Sequence, residues 1–173
     1  MSFKKLFYAF LAGILGVFAF APFSLKFLIF VSYAYLIYIL IHKKSDQIKE
    51  VFAWGFGHWG FGMSWIIVSV YYYGNIGYTA SAIVYLIFLS LILMFAVAPL
   101  RLFKIHEKYN LSLYSLAYIA SALILIELTR DFFFGGFPWL VPGTTGIDTL
   151  LSKALPIFGV SSASFIIYFV AAY

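Results

Sequence analysis

The chain has 173 residues, of which 65% are hydrophobic, 23% are aromatic and only 10% are charged. A soluble domain carries roughly 25% charged residues, so this composition excludes an ordinary water-soluble domain and indicates a protein whose solvent is lipid. The formal net charge is +5, but the basic residues stand in short clusters between apolar runs, which is typical of membrane topology signals and not of a nucleic-acid-binding surface. The chain has no cysteine, which excludes a disulfide, a thiol nucleophile and a thiolate metal site within these residues.

The first apolar run is predicted to be a membrane helix that stays in the protein. Lys4 and Lys5 precede it, and residues 19–21 have the A-x-A form of a signal-peptide cleavage site, but Pro22 follows directly and more apolar segments come later. We predict an all-α, polytopic transmembrane helix bundle formed by the whole of residues 1–173. It should have about six membrane helices, at roughly residues 6–21, 27–41, 51–73, 79–98, 112–131 and 156–173.

The distribution of lysine and arginine predicts that the N-terminus is cytoplasmic. With that orientation the outer flanks hold three basic residues, Lys26, Arg130 and Lys153. The inner flanks hold eight, which are Lys4, Lys5, Lys43, Lys44, Lys49, Arg101, Lys104 and Lys108. Positive charge is enriched on the cytoplasmic side of membrane proteins, so the turn around Asn75 and the loop at residues 135–143 should face outward.

The last predicted helix has no polar residue to anchor its inner end. From Pro156 the chain is apolar to Tyr173. We therefore expect the chain to be a fragment or a truncated gene product that stops within its sixth helix.

The third predicted helix is rich in small and aromatic residues. One helical face carries a stripe of small residues that favours close helix packing, namely Ala53, Gly57, Gly60 and Ser64. His58 lies on another face. One interpretation is a proton relay or a ligand. The interpretation we prefer is a neutral imidazole that is hydrogen-bonded to a neighbouring helix. Trp65 and Ser69 lie one turn apart near the outer side, and their spacing alone favours core packing.

The fifth predicted helix carries charge near its outer end. Glu127 lies about 24 Å along the helix axis, and Arg130 is its i+3 neighbour. Two interpretations stay open: an interfacial anchor pair, or an Arg130 that holds a phosphate or carboxylate at the outer surface while Glu127 orients it.

The segment after that helix is apolar but unsuited to a regular helix. Pro138 and Pro142 favour extended backbone at the residues before them, and Gly135 and Gly136 permit positive φ. An irregular segment cannot lie bare in hydrocarbon, so this one should lie at the interface or against protein. Its aromatic residues predict either an aromatic belt or a loop that handles lipid.

These residues resemble the E-x-x-R…GFPW signature of bacterial apolipoprotein N-acyltransferases. The signature is carried by Glu127-Leu128-Thr129-Arg130 and Gly136-Phe137-Pro138-Trp139-Leu140. Further similar stretches follow in the family's order and span nearly the whole chain, at residues 18–23, 62–69, 73–74, 146–148 and 156–160. Thr144 departs from the family, which often has an aromatic residue at that position.

The resemblance implies an acyltransferase of the bacterial cell inner membrane that is active on the periplasmic face. The family transfers an acyl chain from a phospholipid to the α-amine of the N-terminal S-diacylglyceryl cysteine of lipoproteins, through a thioester on a cysteine. Its Glu, Lys and Cys triad lies in a nitrilase-like domain, which we expect C-terminal to this chain or in trans. The chain is then the membrane part, supplying scaffold and lipid access.

The resemblance transfers no catalytic residue, metal ligand or cofactor to these 173 residues. The expected contacts to lipid are Gly136, Phe137, Pro138 and Trp139, supported by Trp65, Ser69, Glu127 and Arg130. The alternatives are a small transporter or channel subunit that uses Glu127, Arg130 and His58, or an inactive paralogue that keeps only the scaffold. The DNA that follows the Tyr173 codon would separate a fragment from such a paralogue.

The predicted orientation is tested by a topology reporter. A reporter fused after Asn75 should be periplasmic, because that turn follows the third predicted helix of a chain whose N-terminus is inside. Paired alkaline phosphatase and green fluorescent protein fusions at that position would measure this, and fusions at Lys108 serve as the cytoplasmic control. A cytoplasmic reporter after Asn75 would contradict the topology.

Overall fold

A computed structural model describes residues 3–42, 47–133, 137–153 and 155–173, with the backbone alone at positions 131 and 133. In these parts the chain is helical and contains no β-strand, which confirms the all-α prediction. The α-helices are α1 (Phe3–Val17), α2 (Leu28–Ile41), α3 (Gln47–Gly55), α4 (Trp65–Gly74), α5 (Tyr78–Ala96), α6 (Ile105–Lys108), α7 (Leu113–Phe133), α8 (Leu155–Phe158) and α9 (Val160–Ala172). A π-helical turn spans Phe56–Gly60, and 3₁₀ segments span Ala98–Phe103, Pro142–Gly146 and Leu150–Lys153.

Each predicted membrane helix overlaps a helical segment of the structure. Two helical stretches in the described residues, Tyr78–Lys108 and Leu113–Arg130, are long and apolar enough to cross a membrane. Helices α2 and α9 are apolar but shorter, at 14 and 13 residues. The structure therefore fits a helical membrane domain, whereas the number of spans and the cytoplasmic N-terminus stay predictions.

The third predicted helix is interrupted, and this changes which way its small residues face. A π-helical turn holds more residues than an α-helical turn, so Gly57 and Gly60, which both lie in Phe56–Gly60, point further apart than in a continuous α-helix. A Cβ on Gly57 would meet Phe10 of α1, whereas a Cβ on Gly60 would meet Leu89 of α5. The prediction that Ala53, Gly57, Gly60 and Ser64 form one packing face is therefore wrong.

Helix α1 and the third segment approach each other until their backbones touch. A Cβ on Gly13 would overlap the carbonyl oxygen of Trp54, and a Cβ on Gly57 would overlap the carbonyl oxygen of Phe10. Two glycines on facing helices thus make the crossing possible, as in other helix pairs packed in lipid.

Helix α9 occupies a central position in the bundle. It packs against α2, α7 and the 3₁₀ segment Pro142–Gly146, while α5 packs against α4 and α7. Its buried face consists of Ala163, Ser164, Ile167, Tyr168 and Ala172. Helix α9 therefore contacts both the fifth predicted helix and the segment that follows it.

The α1 crossing can be tested with one added methyl group. Gly57→Ala should lower the thermal midpoint in detergent, because overpacking costs about 1–3 kcal/mol and outweighs the helix propensity that alanine gains over glycine, about 1 kcal/mol. Gly77→Ala is the control, because nothing lies within 4 Å of a Cβ at Gly77. Equal midpoints for both variants would contradict the close contact.

Candidate functional site

A cavity lies where three segments that are distant in sequence meet. Its volume is about 650 Å³. The segments are the turn after α1, the junction between the π-helical turn and α4, and the irregular stretch before α8. The lining includes Phe20, Phe23, Lys26, Phe61, Gly62, Ser64, Trp65, Pro138, Trp139, Leu140, Thr144, Thr145, Ile147 and Asp148.

Two tryptophans form one wall of this cavity. The rings of Trp65 and Trp139 have centroids 5.0 Å apart, and Trp65 and Trp139 are 43% and 42% exposed. The ring of Phe137 stacks on Trp139 at 6.1 Å and packs edge-on against Phe88 of α5 at 5.4 Å. The wall is therefore aromatic and partly open, and Phe137 turns into the bundle.

The stretch that carries Trp139 is non-helical, as predicted for its described part. Residues 137–141 form no helix, and a 3₁₀ segment begins at Pro142. Val141 is extended, with φ −76° and ψ 116°, which the following proline ring favours. Leu140 has a positive φ of 54°, and its side chain packs against Gly62. The irregular backbone turns Trp139 toward the cavity while Leu140 enters the core.

Polar contacts beside the cavity join the turn after α1 to the irregular stretch before α8. Lys26 Nζ donates to the carbonyl oxygen of Ile147 and lies 3.7 Å from Asp148 Oδ2. These contacts tie the turn after α1 to the segment that follows the 3₁₀ turn.

Glu127 and Arg130 line a second, much smaller cavity inside the bundle. Its volume is about 30 Å³. Glu127 and Arg130 are 5% and 3% exposed. The hydroxyl of Tyr168 donates to Glu127 Oε2 at 2.9 Å, and Arg130 Cζ lies 4.8 Å from the centroid of a Trp59 ring.

This burial does not fit an exposed interfacial anchor pair or an arginine at the outer surface. The position of these residues along the helix axis takes no account of neighbouring segments. They are buried because α9 and the π-helical turn cover this part of α7. Contact of Glu127 and Arg130 with lipid stays a prediction, and neither residue belongs to the described lining of the large cavity.

His58 is hydrogen-bonded to a neighbouring helix, as the preferred interpretation predicts. It is fully buried, and its Nδ1 donates to the carbonyl oxygen of Gly13 at 3.2 Å. Its ring stacks on Trp54 with centroids 5.0 Å apart. These contacts give His58 a packing role at the crossing of α1 with the third segment.

The structure brings together some of the predicted site residues and separates others. Trp65, Pro138 and Trp139 line the large cavity, with Phe137 beside Trp139. Ser69 is half-buried one turn beyond Trp65 and is not part of the described lining. Gly136 lies outside the described residues.

Sequence reasoning missed the contribution of the turn after α1. Phe20, Phe23 and Lys26 line the cavity, as do Phe61 and Thr145. Two signals were available: residues 18–23 resemble a stretch of the family, and residues 20–26 share the predicted outer side with the later loop. A shared side does not show that two loops touch, and Lys26 and Ile147 are 121 positions apart.

Comparison with known proteins identifies the family of this chain. Residues 12–173 match the family model described as the apolipoprotein N-acyltransferase N-terminal domain. Apolipoprotein N-acyltransferase from Pasteurella multocida is 31% identical over 173 residues, which cover 98% of this chain and 32% of that protein. The Haemophilus influenzae enzyme of the same name is 34% identical over 158 residues, covering 91% of this chain and 29% of that protein.

A third relative, the apolipoprotein N-acyltransferase of Haemophilus ducreyi, is 30% identical over 167 residues that cover 95% of this chain. The chain spans about a third of the length of these curated relatives. Both the family model and the relatives agree with the resemblance carried by the E-x-x-R and GFPW residues. The chain therefore belongs to the apolipoprotein N-acyltransferase family, and its match is to the N-terminal domain.

Proposed function

We propose that this chain is the membrane part of an apolipoprotein N-acyltransferase and that its large cavity receives an acyl chain of the phospholipid donor. The complete reaction would move that acyl chain to the α-amine of a lipoprotein's N-terminal S-diacylglyceryl cysteine. These 173 residues contain no cysteine, so a thioester intermediate would form on a residue outside them. The observation that carries the proposal is the 650 Å³ cavity walled by Trp65 and Trp139.

The composition of the cavity suits one hydrocarbon chain. Phe20, Phe23, Phe61, Trp65 and Leu140 contribute apolar walls, and most of the lining surface is apolar. A volume of about 650 Å³ falls within the roughly 300–1,000 Å³ of small-molecule sites. The position of the cavity, between loops that the lysine and arginine pattern predicts to be outer, supports entry from the periplasmic leaflet.

The hydrophobic effect does not drive an acyl chain from the bilayer into this cavity. Lipid tails are as apolar as leucine side chains, so the transfer removes no apolar surface from water. Binding must come from shape, from contact with the aromatic wall and from polar groups beside the cavity at the head group. We therefore expect weak binding that is compatible with turnover, because the bilayer supplies lipid at high local concentration.

The proposed topology has six spans with the N-terminus inside the bacterial inner membrane. The cavity would then face the periplasm, where a nitrilase-like catalytic part would receive the acyl chain. The small cavity at Glu127 and Arg130 does not favour the transporter or channel alternative, since about 30 Å³ holds roughly one water molecule.

Occupation of the cavity by lipid can be tested by filling it. Ser64 is exposed, lines the cavity, and donates its hydroxyl to the Phe61 carbonyl oxygen of its own segment. Ser64→Phe should lower photolabelling of the Leu140–Gly146 segment by a diazirine-bearing phospholipid in nanodiscs by about tenfold, because the ring takes the space of the acyl chain.

Ser90 of α5 supplies the matched control. It is also exposed, and its hydroxyl also donates to a carbonyl oxygen of its own helix, that of Leu86. Ser90→Phe should leave labelling of Leu140–Gly146 unchanged. Wild-type protein that shows no label at Leu140–Gly146 would refute the lipid cavity.

The role of the tryptophan wall in acyl transfer is tested in a protein that carries this chain together with the catalytic part. Trp139→Ala should lower N-acylation of a lipoprotein by about tenfold while leaving membrane insertion intact, because a large aromatic contact to the donor is lost. Mass spectrometry of the lipoprotein N-terminus measures the transfer. Tyr73→Ala is the control, an exposed aromatic residue on the same predicted side. Unchanged transfer in Trp139→Ala would leave the loop as an aromatic belt.

A further inference from the structure

Helix α9 carries two polar side chains on one buried face. Ser164 and Tyr168 are four residues apart and so lie on the same side of the helix. Ser164 Oγ accepts a hydrogen bond from the backbone N–H of Gly143 at 2.9 Å. The Tyr168 hydroxyl donates to Glu127 Oε2, also at 2.9 Å. Both side chains are thus committed to other segments of the protein.

The two partners stand on either side of the stretch that carries Trp139. Glu127 lies in the last two turns of α7, before that stretch, and Gly143 lies in the 3₁₀ segment after it. One face of α9 therefore holds the chain at a point before Trp139 and at a point after it.

The attachment at Gly143 is a contact between backbones. A Cβ at Gly143 would overlap the carbonyl oxygen of Val160 and would crowd Ser164. Only a glycine lets the 3₁₀ segment lie this close to α9. Since Gly143 N–H is buried, the Ser164 oxygen replaces the partner that water would otherwise provide.

The attachment at Glu127 is enclosed by aromatic rings. The ring of Tyr33 lies 4.9 Å from that of Tyr168, and Arg130 lies over Trp59. A hydrogen bond from a hydroxyl to a buried carboxylate is stronger in such a low-dielectric site than in water. The orientation of α7 relative to α9 is therefore fixed just before the chain leaves α7.

We propose that Ser164 and Tyr168 are positioning residues that hold the Trp139 wall of the cavity against Trp65 from both ends. This inference rests on the proposed function, because it gives the position of that wall a purpose only if an acyl chain lies against it. Neither residue lines the large cavity in the structure, so their effect on lipid would be transmitted through Gly143 and Glu127.

The test uses the whole chain in nanodiscs with the diazirine-bearing phospholipid. Tyr168→Phe removes one hydroxyl and keeps the ring, and Ser164→Ala removes the acceptor of Gly143 N–H. Each variant should lower labelling of the Leu140–Gly146 segment by about two- to tenfold. The reason is that loss of one hydrogen bond lowers, by about that factor, the population of the conformation that holds the wall in place. Labelling of the exposed α5 residues Ile83, Ile87 and Met94 should not change, and this readout separates a displaced wall from general unfolding.

Two matched variants control for loss of a hydrogen bond elsewhere. Tyr118→Phe removes a tyrosine hydroxyl bonded to the Phe103 carbonyl oxygen, and Ser81→Ala removes a buried serine hydroxyl bonded to the Gly77 carbonyl oxygen. Both should label like the wild type at Leu140–Gly146.

The outcomes distinguish this inference from the proposed function. Strong wild-type labelling that Tyr168→Phe and Ser164→Ala leave unchanged would overturn the positioning role and keep the lipid cavity. Absent wild-type labelling would overturn both. If Ser164→Ala fails to fold, shown by lost labelling at Ile83 and Ile87, the isosteric Tyr168→Phe variant decides alone.

Discussion

The need of every backbone polar group for a hydrogen bond governs the irregular segment that lines the large cavity. In hydrocarbon a non-helical segment cannot obtain these bonds from water, so protein groups must supply them. The chain after Trp139 meets this condition with side chains: Gly143 N–H bonds to Ser164, and the Thr144 and Thr145 hydroxyls donate to the carbonyl oxygens of Val141 and Pro142. Because these bonds exist, the irregular segment can present the Trp139 ring to the cavity without water at these groups.

The buried charged residues Glu127 and Arg130 lie near helix α9, which also bonds the irregular segment through Ser164. Removing one partner of a buried polar pair leaves the other desolvated, which strongly destabilises the fold. Glu127 and Arg130 contact side chains from α9 and the π-helical turn, and they lie on the last turns of the helix that leads into the cavity wall. Glu127 and Arg130 of the E-x-x-R half thus lie inside the bundle, whereas Pro138 and Trp139 of the GFPW half line the large cavity.

The helices and the irregular loop could be predicted from the sequence because each depends on local chemistry. Apolar runs marked the helices, Pro138 and Pro142 marked the break, and the motif residues pointed to the family. The π-helical turn could not be predicted, and because Gly57 and Gly60 both lie in it, they point to different helices. The burial of Glu127 and the joining of Lys26 to Ile147 depend on packing between segments far apart in sequence, which periodicity does not encode.

The central claim is that an acyl chain lies in the large cavity against the wall formed by Trp65 and Trp139, and anomalous scattering tests it most directly. Crystals grown in a lipid mesophase doped with phospholipid brominated on one acyl chain would locate the bromine atoms. We expect an anomalous peak inside the cavity, bounded by these two rings and by Phe20 and Phe61. Bromine peaks confined to the outer faces of the helices, with the cavity free of acyl density, would contradict the account.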